Sequence, residues 1–306
     1  MPQTRVTINA ETKLIALLGW PVKHSASPRF HNAALEALGI NVTYLAFAVP
    51  PERFTEAFFG LRALGAIGAN VTVPHKEAAC ALCDELSPAA KVIEAVNTVK
   101  IEKDRMMGYN TDAYGIAAAL AEEGLKFKGK NVVILGAGGA ARGIITQAVL
   151  DGAARLTVAN RTITRAEQLV THVLERCRQL KPAERKHPLP VGTVVPYNDL
   201  KVPLRDADIL INATSVGLKK DDHLLFDPAL ISPATFVYDT IYNPAQTRLL
   251  IAAKQHGCRK TANGLTMLLH QGARAFELWF DRKAPLQLMR NELFEPSVVS
   301  LKHLYL

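Results

Sequence analysis

Cysteine is scarce in this chain, with four (Cys80, Cys83, Cys177, Cys258) in 306 residues. They make one CxxC and no second pair, which argues against zinc or redox work, and no metal site is expected. Cys80 and Cys83 fall in a predicted helix among apolar neighbours, where packing is their expected role. Apolar runs of membrane length are missing, and the N-terminus lacks the charged start and apolar core of a leader. A soluble, reduced, cytoplasmic protein is therefore expected. The net charge is +8, yet no aromatic-interleaved basic stripe accompanies it, which argues against nucleic acid. Internal repeats are absent beyond an alternation of strands and helices. With 49% hydrophobic and 21% charged residues the composition is that of a globular protein, long enough for two domains.

Most of the information lies in residues 131–165. The run VVIL at 132–135 reads as a strand buried on both faces. Gly136, Ala137, Gly138, Gly139, Ala140 and Ala141 follow at once, then Ile144, Ile145, Ala148 and Val149 at helical spacing. Asp151-Gly152 closes that helix, and 156–159 reads as a second buried strand. This is a dinucleotide-binding unit. Gly136 serves the tight turn, Gly138 the approach of backbone to a pyrophosphate, and Ala141 close helix–strand packing. The pyrophosphate is expected on the helix N-terminus, where free N–H groups and the macrodipole favour an anion.

At the end of the second strand an NAD-binding unit usually carries Asp or Glu. Here stand Asn160, Arg161 and Thr162, with Arg165 one turn later. Two guanidiniums and a hydroxyl suit a 2′-phosphate better than a solvated helix start, so NADP is the expected cofactor. Arg155, Arg161, Arg165, Arg176, Arg178, Lys181, Arg185 and Lys186 are expected to gather around its adenosine end.

The first half reads as strands at 13–20, 42–49 and 66–73, with helices after Ser27-Pro28 and over 52–64. Alternation implies a mainly parallel sheet whose functional loops cluster at the carboxyl ends of the strands. Ser25, Ser27 and the segment 70–76 lie there. Ser27 before Pro28 reads as an N-cap; Ser25 is then left over, and paired hydroxyls at a helix start also suit a carboxylate. Lys76 is a surface lysine or a catalytic one, and the pattern leaves both open. A hairpin around Lys103-Asp104 leads through Asn110, Thr111 and Asp112 into a helix, with Asp112 near a domain junction where a cleft is expected.

Beyond the nucleotide unit come a Pro-rich charged loop (178–190), strands at 208–212 and 235–239, and polar loops with Thr214 and Tyr242. A helix at 249–255, a strand at 259–262 and a long helix from Gly264 to Trp279 follow, the last with Met267 and Gln271 on one face. Residues 285–306 read as a helix and a tail. Two look-alikes carry no chemistry. Tyr197 and Lys201 have a Tyr-x-x-x-Lys spacing but sit between Pro196 and Pro203, in a predicted surface loop; 124–130 resembles a phosphate loop with Asn131 where Ser or Thr is needed.

Ser25-Ala26-Ser27-Pro28, NVTVPHK (70–76), NT (97–98), NTD (110–112), GAGGAAR (136–142), NRT (160–162) with Arg165, NATSVG (212–217), YNP (242–244) and NGLTML (263–268) with Gln271 occur in this order. On these motifs, over nearly its whole length, the chain resembles the shikimate/quinate dehydrogenase family. The resemblance implies two α/β domains facing a cleft: a substrate-binding domain (1–111 plus 264–306) with a mainly parallel sheet, and a Rossmann-type NADP-binding domain (112–263). It implies reversible, NADPH-linked reduction of 3-dehydroshikimate to shikimate, in aromatic amino acid (chorismate) biosynthesis. Ser25 and Ser27 would hold the substrate carboxylate, and Thr72, Asn97 and Gln271 its hydroxyls. Lys76 and Asp112 would form the catalytic pair, with the carrier of the proton left open. Gly136, Ala137, Gly138, Gly139 and Ala140 would take the pyrophosphate, and Asn160, Arg161, Thr162 and Arg165 the adenosine phosphate. Asn212, Thr214, Gly264 and Met267 would line the nicotinamide end together with Tyr242, which is also counted with the substrate residues. The stretch 178–190 and the tail after 295 are longer than the family usually carries. The expected partner is a small molecule, with no nucleic acid or membrane, and the expected assembly a monomer or homodimer. The alternatives are a quinate/shikimate dehydrogenase, a methylenetetrahydrofolate dehydrogenase on the same plan, and a ligand-binding regulator without turnover. The serine pair and Asp112 count against the second, and the presence of Lys76 and Asp112 against the third.

Overall fold

The computed structural model describes residues 8–294 except His24 and Lys220. The chain divides into two units: one runs up to Thr111 and resumes at Leu269, and the other is Asp112–Leu268. Among the described residues no helix is long and apolar enough to cross a membrane.

The first unit opens with β1 (Lys13–Gly19), α1 (Ser27–Ala37) and β2 (Val42–Ala48). A short 3₁₀ turn at Pro51–Arg53 feeds α2 (Phe54–Ala63), and then come β3 (Gly68–Val71), α3 (Lys76–Leu82), β4 (Glu85–Leu86), α4 (Pro88–Ile93), β5 (Thr98–Glu102) and β6 (Arg105–Tyr109). The strands lie in the order β2-β1-β3-β5-β6-β4. β1 pairs in parallel with β2 and β3, whereas β5 is antiparallel to β3 and to β6. The β5–β6 turn holds Lys103 and Asp104 at φ of 49° and 62°, the left-handed pair that a two-residue hairpin uses. Leu18, Phe54, Phe58, Ala69, Val99 and Met106 share one core. β3 ends short of the expected 73, because Pro74, joined to Val73 by a cis bond, cannot donate to a ladder. The two-residue β4 and α4 were not foreseen.

The second unit starts with α5 (Thr111–Glu122), whose first residue belongs to the preceding unit. It continues as β7 (Asn131–Leu135), α6 (Gly139–Leu150), β8 (Arg155–Ala159), α7 (Ile163–Gln179), β9 (Val191–Val195), α8 (Lys201–Arg205), β10 (Ile209–Asn212), β11 (Phe236–Asp239), α9 (Arg248–Gln255) and β12 (Thr261–Asn263). α10 (Leu265–Phe280) then carries the chain back into the first unit, where Trp279 Nε1–H donates to Val99 O at 2.9 Å, and α11 (Leu286–Phe294) follows. The second sheet runs β12-β11-β10-β7-β8-β9 with every pair parallel. This is the doubly wound order, with its topological switch between β7 and β10, where such sheets bind ligands.

Four expectations need correction. β9 had not been read as a strand; it is an edge strand, mostly exposed, and lacks the apolar run of its neighbours. Tyr197–Asp199 lies at the surface as expected but is a 3₁₀ turn leading into α8 and not an irregular loop, anchored by Leu200 and Leu204, which are fully buried in the core. The basic residues do not gather at one place. Arg161 and Arg165 sit at the carboxyl end of β8, whereas Arg155 starts that strand and Arg176 and Arg178 lie in the last turn of α7. A helix rises about 1.5 Å per residue, so the eleven residues from Arg165 to Arg176 separate them by roughly 16 Å. Finally, Ser27 is the first residue of α1 and not its cap. The cap residue is Ala26, without a side-chain bond, and Ser25 Oγ accepts the Ser27 N–H at 3.2 Å. Of the predicted C-terminal helix and tail, α11 is seen and the remainder lies outside the described residues.

Candidate functional site

In the second unit the glycine turn joins β7 to α6. Gly136 has φ of +102°, and a Cβ there would lie 2.7 Å from Thr214 Cγ2, so both backbone and space demand glycine. Gly138 and Gly139 differ. A Cβ at either would meet nothing within 4 Å, so no protein neighbour requires glycine there. What both positions offer is bare backbone at the N-terminus of a twelve-residue helix. Arg165 donates from Nε to Ala137 O at 3.1 Å, tying the start of α7 to the turn. Asn160 Nδ2 donates to Thr162 O at 2.9 Å, shaping the loop that carries exposed Arg161. Arg161 also acts on Tyr197, where burial raises the phenol pKa and the cation opposes the rise.

At the carboxyl ends of β10 and β11 a buried carboxylate organises the loops. Asp239, fully buried, accepts from Asn212 Nδ2 at 3.0 Å, Ile241 N at 3.1 Å and Thr247 Oγ1 at 2.6 Å. Burial outweighs these three donors and raises its pKa. Asn212 Oδ1 in turn accepts from the backbone and hydroxyl of Thr214 at 3.1 and 2.7 Å. Tyr242, half exposed, follows Ile241, whose carbonyl accepts the Gly264 N–H at 3.2 Å. A Cβ on Gly264 would overlap Thr240 O, so glycine is required there by the fold itself. Met267 is half-buried on α10. The sequence reading missed Asp239; a carboxylate ending an apolar strand was the available signal.

The first unit holds a connected set of buried polar groups. Asn97 Oδ1 accepts the Thr111 N–H at 2.7 Å and the Thr111 hydroxyl at 3.1 Å, starting α5 one residue before Asp112. Asn70 Nδ2 donates to Asn97 O and to Thr98 Oγ1, each at 3.0 Å. Asn70 Oδ1 accepts from Tyr44 Oη at 2.8 Å. Lys76 is the first residue of α3. His75 before it bonds Val49 O at 2.7 Å through Nε2 and stacks on Phe54, and the Lys76 carbonyl accepts the Val96 N–H at 2.9 Å. Thr72 is half-buried, its N–H donated to Leu18 O at 2.9 Å. Gln271 is buried on α10 next to Gly272, which lies against Phe30. Ser25 is exposed and Ser27 buried, so the two hydroxyls meet different surroundings. Tyr44 was also missed, because in an apolar strand pattern it reads as core.

A unit with a sheet in doubly wound order and a glycine turn on its first strand, and a second α/β unit with its own buried polar cluster, define a two-domain α/β protein with a Rossmann-type nucleotide unit. Residues 17–99 match the shikimate dehydrogenase substrate binding domain, 119–219 the shikimate/quinate 5-dehydrogenase family, and 264–294 the shikimate 5′-dehydrogenase C-terminal domain. The chain is 42% identical over 294 residues to the shikimate dehydrogenase (NADP(+)) of Symbiobacterium thermophilum, covering 95% of this chain and 97% of that one. A crystal structure of shikimate 5-dehydrogenase from Listeria monocytogenes in complex with shikimate and NAD superposes with a TM-score of 0.85 at 36% identity, over 94% of this chain and 98% of that one. A shikimate dehydrogenase solved in complex with NADP+ gives 0.82 at 40% identity, over 94% and 97%. The chain belongs to the shikimate dehydrogenase family.

Proposed function

We propose that the protein is an NADP-dependent shikimate dehydrogenase, interconverting 3-dehydroshikimate and shikimate in aromatic amino acid biosynthesis. The observation that carries the cofactor assignment is the open backbone of Gly138 and Gly139 at the start of α6, with Arg165 tied to the same turn. These residues fit a pyrophosphate, and Arg161 and Arg165 fit a 2′-phosphate where an acidic residue would repel it. Support for the substrate comes from the Symbiobacterium relative, a shikimate dehydrogenase (NADP(+)), and from the Listeria relative solved with shikimate and NAD; a further relative was solved with NADP+.

On this reading the unit running up to Thr111 and resuming at Leu269 binds substrate, and Asp112–Leu268 binds NADP. Gly136 to Ala140 would face the pyrophosphate, Asn160, Arg161, Thr162 and Arg165 the adenosine phosphate, and Asn212, Thr214, Gly264 and Met267 the nicotinamide end. Bound there, the cofactor supplies the hydride. Ser25 and Ser27 hold the substrate carboxylate; Thr72, Asn97, Gln271 and Tyr242 fix its ring. The carbonyl carbon gains the hydride while its oxygen takes a proton from the Lys76 ammonium, and the Lys76 amine recovers that proton in the reverse direction. Asp112 orients the lysine and accepts from a substrate hydroxyl. The enzyme would work in the cytoplasm as a monomer or homodimer.

The test is the initial rate of NADP reduction with shikimate, beside quinate and with NAD in parallel. Shikimate with NADP is expected to be strongly preferred. Preference for quinate or NAD would move the protein to a sister activity, and no turnover with any pair would sink the reading. Lys76→Ala is expected to lower kcat by roughly 10²–10⁴-fold with a smaller effect on KM; turnover equal to wild type would remove Lys76 from the chemistry.

A further inference from the structure

One buried carboxylate in the second unit is joined to both loops of the expected nicotinamide end. Asp239 closes β11 at 0% exposure. Its Oδ1 accepts from Asn212 Nδ2 at 3.0 Å and from Ile241 N at 3.1 Å, and its Oδ2 accepts the Thr247 hydroxyl at 2.6 Å. Ile241 and Thr247 are buried and bracket the exposed residues 242–246, so one side chain holds both ends of the loop that carries Tyr242. Asn212 passes the constraint to the other loop. Its amide hydrogens go to Asp239 and to Val216 O at 3.1 Å, and its Oδ1 accepts both the N–H and the hydroxyl of Thr214. Every donor and acceptor of this amide is used, which fixes its orientation. The Thr214 hydroxyl, spent on Asn212, also accepts from Val216 N at 3.1 Å. Its methyl is the group turned to the glycine turn, 2.7 Å from where a Cβ on Gly136 would lie.

Resting on the functional reading above, we propose that Asp239 is a positioning residue for the nicotinamide end of the cofactor. Through Asn212 it sets Thr214 against Gly136, and through Ile241 and Thr247 it sets the Tyr242 loop. The two loops of that end therefore share one reference point, and the first of them is keyed to the turn expected to hold the pyrophosphate. Stability alone is a poor reason for a carboxylate here. Burial raises its pKa in spite of the three donors, so the charged form is held at a net cost. The adenosine end has a separate tether, Arg165 Nε to Ala137 O at 3.1 Å.

Asp239→Ala deletes the shared acceptor. The measurements are the dissociation constants of NADP+ and of adenosine 2′,5′-bisphosphate, a fragment with the 2′-phosphate and no nicotinamide, by calorimetric titration of the cofactor-free protein. The expected result is about 10-fold weaker binding of NADP+, as for one lost hydrogen bond, with the bisphosphate within about twofold of wild type. A merely structural role would lower the binding-competent fraction and so weaken both ligands alike. Asp239→Asn is expected to restore most of the NADP+ affinity. Its oxygen keeps Asn212 and Ile241, and its amide donates to Thr247, whose hydroxyl then accepts. Should Asp239→Ala fail to fold, Thr247→Val removes one anchor with little change of shape and must weaken NADP+ while sparing the bisphosphate. Unchanged NADP+ binding, equal losses for the two ligands, or an Asn variant no better than the Ala variant would each overturn the proposal. A wild type that does not bind NADP+ overturns the functional reading itself, so the wild-type control tells the two failures apart.

Discussion

His31 is 1% exposed, stacked on Tyr44 with Phe30 tilted against it, and neither ring nitrogen has a hydrogen-bond partner among the described residues. Burial lowers its pKa from 6.5 to about 3. The unfolded chain takes up a proton as pH falls through 6.5, while the folded protein resists until about 3. The contribution is therefore complete above the unfolded value and lost as pH drops across that window, on the order of a few kcal/mol. His31→Phe is expected to flatten this acid limb, checked by urea unfolding at neutral pH and near the lower end of the window. An unchanged slope would assign the limb to other groups. At this scale the glycine residues of the β7–α6 turn were legible because their type is unusual between a buried strand and a helix. His31, Tyr44 and Asp239 were not, because a polar atom inside an apolar pattern acquires meaning only from its neighbours.

Among elements, the glycine turn separates two reasons for the same residue. Gly136 holds a φ that a side chain would strain, and an added Cβ would clash with Thr214, so Gly136→Ala is expected to cost at least ~1 kcal/mol of stability. Gly138 stands in open space, so Gly138→Ala should leave stability within about 0.5 kcal/mol and weaken NADP binding. Denaturant unfolding and NADP titration check both; loss of stability at Gly138 would give it a structural role instead. The pattern of strand, turn, helix and strand was visible because β7 and β8 are buried on both sides and read as apolar runs. β9 lies at an edge and α8 is a single turn, and neither leaves such a run. The Ser27 cap was misread since a Ser-Pro pair fits two adjacent positions equally well, and only the burial of Ser27 in the folded chain chooses between them.

For the molecule, the two units make separable predictions. Hydrogen exchange with NADP+ present should slow at the β7–α6 turn and the start of α7, and exchange with shikimate at residues 25–31, 70–76 and 97–111. Each ligand also raises the midpoint of unfolding by mass action. The reverse pattern would overturn the assignment of ligands to units. The return crossing between units falls at Leu268–Leu269, inside α10 rather than at the Gly264 loop where sequence suggested a boundary. A continuous helix carries no punctuation in its sequence to mark where its packing partner changes.

Sequence by itself determined the alternation of elements, the glycine turn and the basic end of β8. Each depends on residue type and short spacing, which survive without coordinates. Tertiary structure decided strand order, the division of the basic residues between two ends of α7, and the donor direction of the Tyr44–Asn70–Asn97 chain. Those depend on groups far apart in sequence and on which hydrogen-bonding atoms remain once neighbours have taken the rest.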